Sequence, residues 1–189
     1  MSLKTKVLSQ KINYTGAELK SQWNYFEHGL LGNSAVAFIG ACRVELNEML
    51  DGEDLLAQQK IEGSEMLHFV LEIFDISLFA GVAFQRIFAD LARGELIKLN
   101  PRLKGKIERD GDDLYFEGRK LSISIAAPSL RSVLIHWAIN ISNNGTPVPT
   151  AALQDLSVDP QQFAQSLLTI ASQELDSIGE ATWKVKTVK

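Results

Sequence analysis

The sequence predicts an α+β fold, with helices packed against a mainly antiparallel sheet. Three observations carry this. Two apolar runs of strand length, Ser34 to Val44 and Glu65 to Phe74, have the character of buried strands. The stretch from Ile107 to Ile141 holds turn signals at Asp110-Gly111, Glu117-Gly118 and Pro128, with β-rich segments between them, the pattern of adjacent hairpins. Three helical segments complete the set, and strands that follow one another in hairpins favour a layered α+β arrangement. The length of 189 residues suits one domain spanning 1–189. A chain of this size can bury roughly 70% of its unfolded surface.

The elements follow in order. Val7 to Tyr14 reads as a first strand. Thr15-Gly-Ala-Glu18 is a capping-box signature and predicts a helix from Gly16 to about His28, ended by Gly29 and Gly32. The Ser34–Val44 strand comes next. Asp51-Gly-Glu-Asp54 opens a helical or loop connection to Lys60, which leads into the Glu65–Phe74 strand. Asp75 or Ser77 then caps a helix through about Ala92, with Leu78, Phe79, Val82, Ile87, Phe88 and Leu91 on or near one face and Gly94 as its stop. Leu96 to Lys106, punctuated by Pro101, is expected to be loop or irregular strand. Asn143-Asn-Gly-Thr-Pro147 reads as a loop after the hairpin region. Asp159 and Pro160 are the N-cap and first residue of a last helix to about Ile178, ended by Gly179, with Trp183 to Val188 as a short tail strand.

Composition narrows the classes of function. The formal net charge is −4, and no basic stripe suggests a broad nucleic-acid surface. The single cysteine, Cys42, sits in an apolar run and reads as a buried, inert thiol in a reducing compartment. Glu72 and Asp75 interrupt the longest apolar region, Leu67 to Phe84, which argues against a membrane span. With no apolar leader visible at Met1-Ser-Leu-Lys4, a soluble cytoplasmic protein is expected. Oligomeric state is not legible.

Polar residues that interrupt apolar strands are the candidate site. In the Glu65–Phe74 strand, alternation puts His68 and Glu72 on one face with Met66, Val70 and Phe74, and Leu67, Phe69, Leu71 and Ile73 on the other. Roughly 13 Å of strand separates His68 from Glu72, so they cannot share one metal, though they can line one cleft at two points or be paired individually. Arg43 follows an apolar strand and Gln85-Arg86 sits in an apolar helix. Each arginine can anchor an anion or clamp a carboxylate structurally. Asp110-Gly-Asp-Asp113 reads as a hairpin turn rather than a calcium loop. Lys120 follows Gly118, and alternation groups it with Ser122 and Ser124, opposite Leu121, Ile123 and Ile125. Such a face either attracts an anion or is solvated. His136 interrupts another apolar strand, as a paired core residue or as part of a pocket. No Walker loop, dinucleotide glycine motif, nucleophile elbow or compact metal-ligand spacing is present.

The segment Asp113-Leu-Tyr-Phe-Glu-Gly-Arg-Lys-Leu-Ser-Ile-Ser-Ile-Ala126, followed by the His136 strand, resembles the central motif of biotin and lipoate protein ligases. The whole chain, through Asp51-Gly-Glu-Asp54, Met66 to Asp75 and Gln85-Arg86, is still more similar to the family called domain of unknown function 366. The resemblance implies a ligase-like fold shared with class II aminoacyl-tRNA synthetase cores. It also implies that Lys120 contacts the carboxylate–phosphate junction of an acyl-adenylate; the cofactor stays open, with ATP and Mg²⁺ as the candidate. On that reading Lys120, His68 and Arg86 are the catalytic set, and Arg43, Glu72, Gln85, Ser122 and His136 bind a nucleotide or carboxylate-containing small molecule for acyl or adenylyl transfer. The ligases' Arg-Arg-x-Ser-Gly-Gly-Gly loop has no counterpart here. The alternative is therefore a non-catalytic binding or structural domain that has lost ligase chemistry.

Overall fold

The computed structural model describes residues 2–58, 61–143 and 149–188. Eight strands and four helices follow in the order β1 (Lys4–Val7), α1 (Trp23–His28), β2 (Ser34–Val44), α2 (Gly52–Ala57), β3 (Ile61–Phe74), α3 (Leu78–Leu99), β4 (Ile107–Asp110), β5 (Asp113–Phe116), β6 (Arg119–Lys120), β7 (Ser122–Pro128), β8 (Ser132–Ser142) and α4 (Pro160–Trp183). The main sheet has the order β1-β2-β3-β8-β7, parallel only between β1 and β2. A small antiparallel sheet, β4-β5-β6, stands beside it.

Strand alternation divides the core in two. Leu67, Phe69, Leu71 and Ile73 of β3 and Ile135, Trp137 and Ile139 of β8 face one side, where they meet Phe84 and Phe88 of α3 and Phe163 and Leu167 of α4. The Phe69 ring lies 5.4 Å from Phe88, 5.8 Å from Trp137 and 6.4 Å from Phe163, in the tilted and edge-on arrangements that aromatic quadrupoles favour. Met66 and Val70 of β3, Phe38 of β2 and Ala138 of β8 face the other side, under Leu8, Tyr14, Leu19 and Trp23. The helices cover one face; the N-terminal segment covers part of the opposite one.

The expected α+β sheet is present, and Ser34–Val44 is a strand with the bounds expected. Ser77 caps α3 by accepting from Ala80 N, and Asp159 caps α4 by accepting from Gln162 N. Other boundaries differ for physical reasons. The first strand ends at Val7, and Tyr14 makes only an isolated bridge to Cys42. The capping box closes locally, Thr15 N donating to Glu18 Oε2, but no helix follows until Trp23, because Gln22 takes a left-handed φ of 63° that breaks the helical path. Neither Gly94 nor Gly179 stops its helix: packing against the sheet carries α3 on to Leu99 and α4 to Trp183. Residues 185–188 join no sheet. The end of the connection at Lys60 and most of the Asn143–Pro147 loop lie outside the described residues. Among the described residues no helix is long and apolar enough to cross a membrane.

Glu72 shows how the N-terminal cover is fastened. It is buried on β3 and accepts from Ser21 Oγ at 3.1 Å, from Gln22 N at 2.9 Å and from Ser132 Oγ at 2.7 Å. A carboxylate taken out of water needs such donors. Glu72→Ala leaves all three without their acceptor and is expected to cost about 2 kcal/mol, readable as a lowered urea midpoint.

Candidate functional site

A cavity of about 630 Å³ opens on the sheet face away from α3 and α4, a volume suited to a small molecule. Its floor is built from β2, β3, β7 and β8, through Cys42, Met66, Ile123, Ile125 and His136, with Tyr14 laid over it. One wall is the segment from Glu48 to Asp54, which includes the start of α2. The facing wall is Asp112 and Asp113 of the β4–β5 hairpin, with Lys120 of β6.

Local chemistry explains both walls. Asp51 caps α2, its Oδ1 accepting from Glu53 N at 2.8 Å and Asp54 N at 3.2 Å. The β5–β6 turn has φ of 51° at Glu117 and 76° at Gly118, the paired left-handed geometry of a tight type I′ hairpin. That turn returns the chain so that Lys120 pairs with Tyr115, while Thr150 bridges its other side. The Lys120 ammonium lies 2.7 Å from Asp113 Oδ2. Burial pushes the lysine pKa down, but the hydrogen bond and charge of Asp113 outweigh it, and the net shift is upward. Asp113 is also raised: burial dominates there, Asp112 and Asp110 add repulsion, and the lysine offsets only part of it. With a side chain 44% exposed, Lys120 keeps donor capacity toward the cavity.

The floor holds a chain of neutral imidazoles. His68 Nε2 is 3.2 Å from the Gly40 carbonyl, which can only accept, so that nitrogen carries the proton. His68 Nδ1 is then an acceptor, and His136 Nε2, 3.0 Å away, donates to it. In neutral His136 the remaining nitrogen, Nδ1, is a bare lone pair. Burial pushes His68 down to about 4 and His136 well below its ordinary value, the neighbouring imidazole adding to the second shift. Tyr14 stacks on His136 with ring centroids 3.7 Å apart. Burial pushes the Tyr14 hydroxyl far up and the Cys42 thiol up to about 12, so neither ionises at neutral pH and Cys42 is inert as a nucleophile.

The residues expected from the sequence separate into two groups. Lys120, Ser122 and His136 line the cavity, and His68 lies directly behind His136. Ser124 lines it too, but the hydroxyls of Ser122 and Ser124 are taken by other partners than a ligand beside Lys120. Ser122 Oγ accepts from Leu114 N, and Ser124 Oγ donates to the His136 carbonyl and accepts from Gln85 Nε2. The cause is Leu121, which lies between β6 and β7: its N–H donates to Leu114 and its carbonyl accepts from Asn140 N. The chain passes there from one sheet to the other, and alternation does not carry across. Gln85 is buried on α3 and donates to Asp112 Oδ2 at 2.9 Å, which fastens the acidic hairpin from behind. Arg86 is exposed with its guanidinium beside Gly111, Arg43 pairs with Glu45 at 2.9 Å, and Glu72 lies under Gln22; none of these three lines the cavity. Sequence reading missed Tyr14 as a floor residue and read the Asp51–Asp54 and Asp110–Asp113 clusters as caps and turns. Their charge was visible, but their meeting across one cavity was not.

The fold is similar to that of biotin protein ligases. A mutant biotin protein ligase from Aquifex aeolicus in complex with biotin superposes with a TM-score of 0.61 at 15% identity, covering 94% of this chain and 72% of that one. The same ligase in complex with biotin and ATP gives 0.58 at 14% identity, covering 94% and 71%. At such identities the likeness is one of fold. The chain itself belongs to the family described as Domain of unknown function (DUF366), whose model matches residues 3–186. An uncharacterised protein of Methanocaldococcus jannaschii is 31% identical over 178 residues, covering 90% of this chain and 79% of that protein. A protein of unknown function from Pyrococcus horikoshi superposes with a TM-score of 0.90 at 32% identity over the full length of both chains.

Proposed function

We propose that the cavity binds a small molecule carrying a carboxylate or phosphate, held at Lys120, and that the protein performs acyl or adenylyl transfer on its ligase-like fold. The observation that carries this reading is the position of Lys120, on the cavity wall with its ammonium part-exposed beside Asp113. An ammonium at that place stabilises a nearby oxyanion electrostatically. His136 and His68 shape the floor beneath it. ATP would enter as its Mg²⁺ complex, because the carboxylates of Asp112 and Asp113 repel an uncompensated polyphosphate. A ligand of this class at about 100 times its dissociation constant is expected to add about 2.7 kcal/mol of stability. Thermal unfolding with biotin, lipoate, ATP·Mg²⁺ and a non-hydrolysable acyl-adenylate mimic reads that shift. Lys120→Ala should abolish it; a shift of equal size in that variant would remove Lys120 from the role.

A second reading is a non-catalytic binding or structural domain. It is favoured by the missing Arg-Arg-x-Ser-Gly-Gly-Gly loop and by the absence of Arg43 and Arg86 from the described cavity lining. The absence of any shift with these compounds would select it.

A further inference from the structure

The cavity carries an electrostatic preference that Lys120 does not express. Seven carboxylates line it, against one lysine and no arginine among the described lining residues, and that lysine is already held by Asp113. On the rim, Glu53, Asp54 and Glu62 form no ion pair with any described residue. Like charges gathered around one cavity attract a cation.

The floor states the same preference independently. His136 is 3% exposed, it lines the cavity, and its Nδ1 has no partner among the described residues once Nε2 is given to His68. A bare imidazole lone pair accepts an N–H or O–H; it repels the oxygen of a carboxylate or phosphate. Between floor and rim, Met66, Ile123 and Ile125 supply an apolar wall against which methylene groups lose water favourably.

We propose that this cavity binds an aliphatic di- or polyamine. One ammonium donates to His136 Nδ1, the methylene chain lies on Met66, Ile123 and Ile125, and a second ammonium meets Glu53, Asp54 and Glu62. Neutral His136 is the form this needs, and its burial keeps it neutral at ordinary pH. The assignment does not depend on Lys120 and stands or falls apart from the reading above.

Isothermal titration of the full chain with putrescine and spermidine tests it, with butanediol as the uncharged control and n-butylamine as the singly charged one. Both amines should bind, more tightly than n-butylamine; butanediol should not; and affinity should fall as salt is raised. The rim variant Glu53→Gln/Asp54→Asn/Glu62→Gln should weaken putrescine about tenfold or more while melting close to the wild type, because Glu53 and Glu62 are exposed, Asp54 is half-buried, and the substitutions keep their size. His136→Leu should weaken it too, but the rim variant decides the question even if His136→Leu folds poorly. Absence of putrescine binding to the wild type, or undiminished affinity in the rim variant, overturns the proposal. Lys120→Ala should keep amine binding while losing that of an anion, so the two readings fail separately.

Discussion

Gly40→Ala is expected to destabilise the protein by at least about 3 kcal/mol and to strip the floor from the cavity. A Cβ at Gly40 would stand 1.8 Å from the Ile12 carbonyl oxygen and 2.6 Å from its carbon. Both are backbone atoms, so no rotamer change relieves the clash. The segment that would have to move is the one that carries Tyr14. It is laid along β2 by Ile12 N donating to Ile39, Tyr14 N to Ala41 and Arg43 N to Tyr14. It lies where the β2–β3 register shifts between Gly40 and Cys42. Gly40 also supplies the carbonyl that sets the His68 tautomer. Urea unfolding measures the loss. Gly52→Ala is the control: nothing lies within 4 Å of its added methyl, at the start of α2, and the change should be neutral or stabilising by up to about 1 kcal/mol. Equal stability of the two variants would contradict the close approach at Gly40.

The second large effect is acid. His68 and His136 are held neutral in the folded state, with His68 pushed down to about 4 from an ordinary 6.5, while in the unfolded chain each titrates normally. Between those values the unfolded chain binds more protons than the folded one, so stability rises with pH across the window. The full contribution is present above pH 6.5 and is lost progressively as pH falls toward about 4, amounting for His68 to about 3 kcal/mol. Denaturant unfolding at a series of pH values should show this loss, and His68→Gln/His136→Gln should flatten the slope between pH 7 and 5. Parallel pH profiles for the wild type and the double variant would rule out the imidazole pair as its source.

Legibility tracked the range of the interactions involved. The Ser34–Val44 strand and the caps Ser77 and Asp159 were readable because apolar runs and side-chain caps are local. The division of β3 into two faces was readable for the same reason, since alternation within one strand needs no partner. Helix ends at Leu99 and Trp183 were not, because packing on the sheet outweighs the preference of Gly94 and Gly179. That the Ser122 and Ser124 hydroxyls are taken by Leu114 and Gln85 was not readable, because Leu121 hands the chain from one sheet to the other.

The amino-acid order by itself determined the Ser34–Val44 strand, the two faces of β3, the capped starts of the two long helices and the candidacy of Lys120, His68 and His136, through periodicity, caps and polar breaks in apolar runs. Only the tertiary structure decided that Tyr14 covers His136, that Arg43, Arg86 and Glu72 do not line the cavity, and that two acidic segments do. Those outcomes rest on the Tyr14 segment pairing with β2 and on Gln85 drawing the Asp112 hairpin against the sheet. Both are contacts between residues remote in the chain, which no local pattern encodes.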